Sequence, residues 1–215
     1  MSGSSIRFGK DLEGMRSEDY PLLTGRGQFS DDLNVDGQLH AVFVRAPVAH
    51  ADIENIGTKE ALSVPGVIGI YTGSDLVAAN IGDVPAAISI NGRNGEPMVH
   101  APIPVLAQGR IRYVGEPVAI VVAETFSSAQ DGANAVQLDL RQRPAAATIT
   151  AALADDAPII HDDAPDNIAL DWTDGDASTI DNTFASAAHV VETAITDTRL
   201  APVSMEPRAG IGQWD

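Results

Sequence analysis

Apolar and β-branched positions cluster over Leu39–Arg45 and stop just before Pro47, a pattern that predicts a strand. Ala51–Ile56 reads as a shorter strand. Lys59–Ser63 reads as a short helix. Val64-Pro65-Gly66-Val67 then has the order of a type II turn, with Pro followed by Gly. Val67–Tyr71 resumes as a strand. Val118–Ala123 is wholly apolar, the pattern of a strand covered on both faces. Beyond it the period changes. Thr125 is placed as an N-cap, and Phe126, Ala129, Ala133 and Val136 fall on one helical face. Gln137–Leu140 returns as a strand. The elements together predict an α+β scaffold.

Elsewhere the patterning is weaker. The first forty residues are rich in turn formers, with an extended loop from Thr24 to Asp32. Residues 73 to 110 hold Asn91-Gly92 and Asn94-Gly95 and read as an irregular excursion. Its length predicts a functional or interface loop. Arg143 and Arg199 enclose eleven acids and no base. This stretch reads as a solvated connector with a short helix near Thr150–Leu153. A further helix is expected over Ser178–Ala187, capped by Ser178 or Asp176, with Ile180, Phe184 and Ala187 on one face. His189–Arg199 and Ala209–Trp214 read as strands of a new sheet. The division expected is an arm over 1–20, a domain over 21–145, an acidic connector over 146–177 and a second domain beginning at 178–215. No internal repeat is present.

Composition narrows the function. The chain has 30 Asp+Glu against 13 Lys+Arg, a net charge of −17. That sign repels phosphate backbones and anionic membrane surfaces, so nucleic acid and membrane are excluded as expected partners. Cysteine is absent, which removes thiolate ligation of an iron–sulfur cluster, disulfides and a Cys nucleophile. The first residues lack the apolar stretch of a signal peptide, and cytoplasm is the expected compartment.

Candidate chemistry is sparse. Gly25-x-Gly27 lacks the third glycine and the preceding strand of a dinucleotide fingerprint and reads as a flexible loop. His161-Asp162-Asp163 would send adjacent side chains to opposite faces, so an acidic loop is favoured over a metal site. Asp171 to Asp176 lacks the closing Glu of a calcium loop and reads as a turn into a capped helix. His40, His50, His100 and His189 are scattered. Glu116, in Tyr113-Val114-Gly115-Glu116-Pro117, is a candidate for a functional loop or a structural turn. No catalytic, cofactor-binding or metal residue is assigned.

Taken in order, several segments carry more. They are Gly9-Lys10, Arg16-x-Glu18-Asp19, Leu23 to Asp32, Leu39-His40-Ala41 and Phe43 to Ala51. They continue with Pro65-Gly66-Val67, Thr72-Gly73-x-Asp75-Leu76, Arg112 to Ala119 and Arg199 to Arg208. The ordered set resembles the start of the large, molybdenum-cofactor subunit of the xanthine dehydrogenase, aldehyde oxidase and carbon monoxide dehydrogenase family. The resemblance runs from about Phe8 to Asp215. Ala46 and Val48 depart from the family pattern, as does Leu138-Asp139-Leu140-Arg141-Gln142-Arg143-Pro144.

The resemblance implies an α/β hammerhead domain, then the first helix and strands of a second, incomplete α+β domain that binds molybdopterin. It implies oxygen insertion from water into an aldehyde or N-heterocycle, or carbon monoxide oxidation. It also implies a molybdenum–pterin cofactor not held by this chain alone, with [2Fe–2S] clusters and FAD on partner chains or domains. The family's cofactor loop and catalytic Glu have no matching positions here. The chain, stopping at Gln213-Trp214-Asp215, is therefore expected to be a scaffold and interface part that is inactive alone and completed by another polypeptide. Met205-Glu206-Pro207-Arg208 is expected to serve strand-end packing. The other reading is a stand-alone binding module of the hammerhead fold without enzyme activity.

Overall fold

The computed structural model describes residues 16–197, 201–204 and 206–213. The arm up to residue 15, Arg199-Leu200, Met205 and Trp214-Asp215 lie outside the described residues. The chain forms two compact units. One spans residues 39–190. The other is made from residues up to 38 together with those from 191 onward.

The smaller unit holds helix α1 (Asp19–Leu23) and a single 3-10 turn at Ser30–Asp32. The expected Gly25-x-Gly27 loop follows α1. Gly25 sits at φ +70°, and Arg26 N–H donates to the Pro21 carbonyl at 2.8 Å. Ser30 donates twice to one oxygen of Glu206, from its backbone N–H at 3.1 Å and its hydroxyl at 2.8 Å. The Glu206 side chain therefore ties two distant stretches together, and those hydrogen bonds from Ser30 hold its carboxyl below the usual range. No strand forms over the described residues 189–197 or 209–213, where strands were expected. A strand exists only where a neighbour completes its ladder, and these residues pair with none.

The larger unit is built from two small antiparallel sheets. Strands β1 (His40–Arg45), β3 (Val67–Thr72) and β5 (Pro117–Ala123) make one, in the order β1-β5-β3. Strands β2 (Ala51–Gly57), β4 (Arg110–Ile111) and β6 (Gln137–Gln142) make the other, in the order β4-β2-β6. Helix α3 (Phe126–Ala135) connects β5 to β6, so the expected strand–helix–strand unit crosses between the sheets.

β5 lies at the centre of its sheet and is buried on alternate sides. Val118 packs with Ala46, Ala51, Ala107 and Ile111. Ala119 and Val121 pack with Val44 and, beneath α3, with Ala133 and Val136. Leu138 on β6 touches both clusters. The wholly apolar run is explained by this two-sided burial rather than by a parallel sheet.

Thr125 caps α3 as expected, its hydroxyl oxygen accepting the Ser128 N–H at 3.1 Å. Phe126, however, is 61% exposed, and the buried residues are Ala129 and Gly132. The helix lies too close to the sheet for a large side chain. A Cβ on Gly132 would stand 2.8 Å from Val67 Cγ2 and 2.9 Å from Val121 Cγ1.

Three shorter helices follow the sequence less closely. The expected helix at 59–63 is a 3-10 turn, Ala61–Ser63. Gly66, at φ +85°, completes the turn after it, with Val67 N–H donating to the Val64 carbonyl. Residues expected to be irregular open with helix α2 (Gly73–Ala78). Its start is fixed by Asp75, whose carboxylate accepts the Thr72 N–H and hydroxyl, each at 2.7 Å. Helix α4 (Ile149–Ala152) is capped by Thr148.

Helix α5 (Ala177–Ser186) begins at Asp176 and has no buried residue. The Asp176 carboxylate accepts from Ser178 N–H, the Ser178 hydroxyl and the Thr179 hydroxyl. These bonds, led by that of Thr179, lower its pKa from 3.8 to about 2. Without buried contacts, α5 depends on this cap more than the packed helices do.

Two outcomes are expected. Gly132→Val should destabilise the larger unit by about 1–3 kcal/mol through overpacking, read from urea unfolding. The charged Asp176 cap stabilises α5 fully above pH 3.8 and is lost as pH falls through about 2. Amide exchange over residues 177–186 should therefore accelerate in that window, and Asp176→Ala should give the fast exchange at neutral pH.

Candidate functional site

Sheet β4-β2-β6 brings together charges far apart in the sequence. Asp52 on β2 faces Arg110 across one ladder and Arg141 across the other. Its carboxylate meets Arg110 at 3.4 Å, Arg143 at 2.7 Å, and Arg141. The hydrogen bond from Arg143 is the main cause that holds its carboxyl below the usual range. Arg141 also meets Glu54 at 3.0 Å, and Arg110 meets Asp162 at 3.2 Å. The cluster staples the sheet and carries the acidic stretch against it.

That stretch has mostly exposed side chains, but its backbone is anchored. Val99 N–H donates to the Ala169 carbonyl at 2.8 Å, and Arg93 N–H to the Asp171 carbonyl at 2.7 Å. Asp171 also pairs with Arg93 through its side chain at 3.1 Å. Asn167, at φ +58°, knots the intervening loop. It accepts the Ile160 N–H and donates to the carbonyls of Ala152 and Pro158. A single Asn thus satisfies three buried or half-buried backbone groups.

Between this stretch and the long loop lies a cavity of about 660 Å³. Its apolar wall includes Val84, Ile88, Met98 and Ile103. Its polar side is formed by Arg112, Tyr113, Glu116 and His161. A neighbouring cavity of about 210 Å³ shares His161 and Val99.

The polar side is set by the turn between β4 and β5. Gly115 takes φ +86°, which lets Glu116 N–H fold back to the Tyr113 carbonyl at 3.3 Å. Glu116 is 3% exposed, and its carboxylate accepts the Arg112 N–H at 2.6 Å. Ala46 N–H donates to the Glu116 carbonyl at 2.9 Å, the Ala46 carbonyl accepts the Gly115 N–H at 2.8 Å, and Arg45 donates to the Gly115 carbonyl at 2.9 Å. Glu116 therefore has the structural role weighed for it, and it also lines the cavity.

Arg112 donates through Nε to the Ile160 carbonyl at 3.3 Å. It has no ion pair among the described residues, whereas Arg93, Arg110, Arg141 and Arg143 in the same unit all do. His161 Nδ1 is buried without a hydrogen-bond partner. Burial, and then the nearby Arg112 guanidinium, push the His161 pKa below 6.5, so the ring is neutral at pH 7. His50 is 3% exposed, and its Nδ1 lies 2.6 Å from the Pro144 carbonyl. A carbonyl only accepts, so Nδ1 carries the proton and the buried Nε2 is left with no partner.

Of the other sequence candidates, His100 lines the same cavity, whereas His189 is exposed and His40 lies on β1. Asp162 pairs with Arg110, and both Asp162 and Asp163 are exposed, whereas His161 lines the cavity. Among the described residues no group of three or more His, Cys, Asp or Glu could hold a metal ion. No helix among them is long and apolar enough to cross a membrane. Sequence reasoning does not single out Arg112, because its lack of an ion pair among the described residues and the approach of His161 to the same cavity are tertiary facts with no local signal.

Comparison with known proteins gives two adjoining family matches. Residues 24–144 match the aldehyde oxidase and xanthine dehydrogenase a/b hammerhead domain. Residues 160–215 match the molybdopterin cofactor-binding domain. The nicotine 6-hydroxylase large subunit of Paenarthrobacter nicotinovorans is 37% identical over 202 residues, covering 93% of this chain and 24% of the relative. The carbon monoxide dehydrogenase large chain of Afipia carboxidovorans is 30% identical over 229 residues, covering 99% of this chain and 27% of the relative. A crystal structure of the Cu,Mo-CO dehydrogenase aligns with TM-score 0.64 at 28% identity, over 81% of this chain and 22% of that one. Quinoline 2-oxidoreductase from Pseudomonas putida 86 aligns with TM-score 0.56 at 36% identity, over 66% and 17%. The chain spans about a quarter of the length of these curated relatives.

The buried neutral His161 gives a pH-dependent outcome. The unfolded chain takes up a proton near pH 6.5 and the native site resists it, so stability present above 6.5 is lost as pH falls through the lowered native value. Amide protection over residues 159–169 should drop on acidification from pH 7, and His161→Gln should remove that dependence.

Proposed function

The chain belongs to the aldehyde oxidase and xanthine dehydrogenase family of molybdenum hydroxylase oxidoreductases, and from that premise we propose that it is the scaffold and interface part of such an enzyme's large subunit. The observation that carries the reading is the adjacency of the two family matches on one chain, with the hammerhead match first and the molybdopterin cofactor-binding match after it. The domain division proposed is the hammerhead over 21–145, the acidic stretch over 146–177 as its connector, and the start of the cofactor-binding domain over 178–215.

The described residues do not form a site that fits a molybdenum–pterin group. They contain no metal-holding cluster, and the described residues from 189 to 213 are exposed, with no buried polar cradle for a pterin ring. No catalytic, cofactor-binding or metal residue is therefore assigned to this chain, and no reaction step is derived from it. In this proposal the molybdenum–pterin cofactor is held with another polypeptide segment, and [2Fe–2S] clusters and FAD lie on partner subunits in the cytoplasm. The complete enzyme would insert oxygen from water into an aldehyde or N-heterocycle, or oxidise carbon monoxide. The names of the relatives as large subunits and large chains support a multi-subunit setting.

The exposed surface agrees with an interface role. Ile180 and Phe184 stand on one side of α5 at 48% and 59% exposure, and no other element covers them.

The isolated chain should show no dye-linked oxidation of aldehydes, N-heterocycles or carbon monoxide. It should form a stable complex with a molybdopterin-bearing large-subunit segment. Turnover by the chain without added partner or cofactor would overturn the proposal, and so would a monomer that ignores such a segment.

A further inference from the structure

We infer that the cavity bounded by Val84, Ile88, Met98, Arg112 and His161 is a binding site for a small apolar monocarboxylate, for which benzoate is a probe. In this arrangement the carboxylate is held on the Arg112 guanidinium, and the apolar body of the ligand lies against the apolar wall.

Two independent features meet there. The first is size. About 660 Å³ falls within the range of small-molecule sites, and the wall is apolar, as such sites are. The second is charge. Arg112 carries a planar guanidinium whose only hydrogen bond among the described residues is made through Nε, to a backbone carbonyl. The chain has 30 carboxylates, yet none is paired with it among the described residues. A guanidinium fork left unpaired in a partly apolar cavity suits a carboxylate, which it binds through two parallel hydrogen bonds.

His161 also lines the cavity, but its Nδ1 is buried, so the ring serves as part of the wall and the carboxylate pairs with Arg112. The cavity also sets a limit on ligand charge. Glu116 and Asp83 are in its lining. The Arg112 guanidinium pairs with one carboxylate, and a second carboxylate on the ligand would face these acids with no further Arg or Lys in the lining, so a monoanion is accommodated and a dianion is disfavoured. The site is read from this chain's own residues and requires no cofactor, so it stands or falls separately from the enzyme assignment.

The test uses the cofactor-free 215-residue chain. Benzoate, benzamide and terephthalate are titrated separately, with binding read by ligand-observed NMR and calorimetry. Benzoate should bind saturably in roughly the millimolar range, and the neutral amide and the dianion at least about tenfold more weakly. Arg112→Gln should weaken benzoate about tenfold or more, with Arg112→Lys intermediate. Ala87→Trp fills the cavity from the loop side, away from the turn that Arg112 supports, and should abolish binding with an unchanged circular dichroism spectrum. The inference is overturned if benzoate does not bind the wild-type chain, if benzamide binds equally well, or if Ala87→Trp leaves benzoate affinity unchanged. The wild-type comparison and Ala87→Trp decide the matter even if Arg112→Gln fails to fold.

Discussion

Burial of β5 on both faces is the constraint on which the larger unit depends. Val118 reaches one apolar cluster, and Ala119 and Val121 reach the other. Each sheet is only three strands wide, too small to bury much alone. The shared strand joins the two clusters into one core, and Leu138 on β6 closes it from the second sheet. This leaves no position on the interior of β5 where a polar side chain would find a partner. It also dictates α3, whose close approach over Val121 fully buries Ala129 and Gly132 and packs Ala133 beside them.

The candidate site is a consequence of how β5 is entered. The chain must leave the short strand β4 and turn tightly into Pro117, and Gly115 and Glu116 make that turn. Having been used to hold the turn, the Glu116 carboxylate fixes the backbone of Arg112 beside the cavity. Asp52 binds three arginines around it, and Asp162 and Asp171 carry the acidic stretch back onto the sheet and the long loop. Electrostatics in this chain is thus local and structural. Among the described residues half of the pairs join strands of the second sheet and the rest involve loops, and Arg112 is left facing the cavity without one.

The two family matches and the observed architecture agree on what the chain provides. It provides a hammerhead body and the approach to a molybdopterin-binding domain. The described residues from 189 to 213 form no strand, and no described element buries the Ile180 and Phe184 side of α5. Both are what a surface completed by another segment would show, and both agree with the scaffold role proposed.

The sequence by itself determined the strands β1, β2, β3, β5 and β6, the capped helix α3 and the turn at Gly66. Those depend on period, β-branching and cap chemistry within a few residues. The ordered motifs from Thr24 to Ala119 also carried the family. Even α2 was written locally, in Thr72-x-x-Asp75, although the surrounding Gly and Asn obscured it. Tertiary structure alone decided the rest. That Phe126 faces solvent, that β5 and β6 part into different sheets, and that 189–197 stays unpaired all depend on which surfaces meet. The cavity is the clearest case. Arg112, Glu116 and His161 come together because a turn, a knotted loop and a ladder of charges place them there, and hydrogen bonds across fifty residues leave no periodic trace in the sequence.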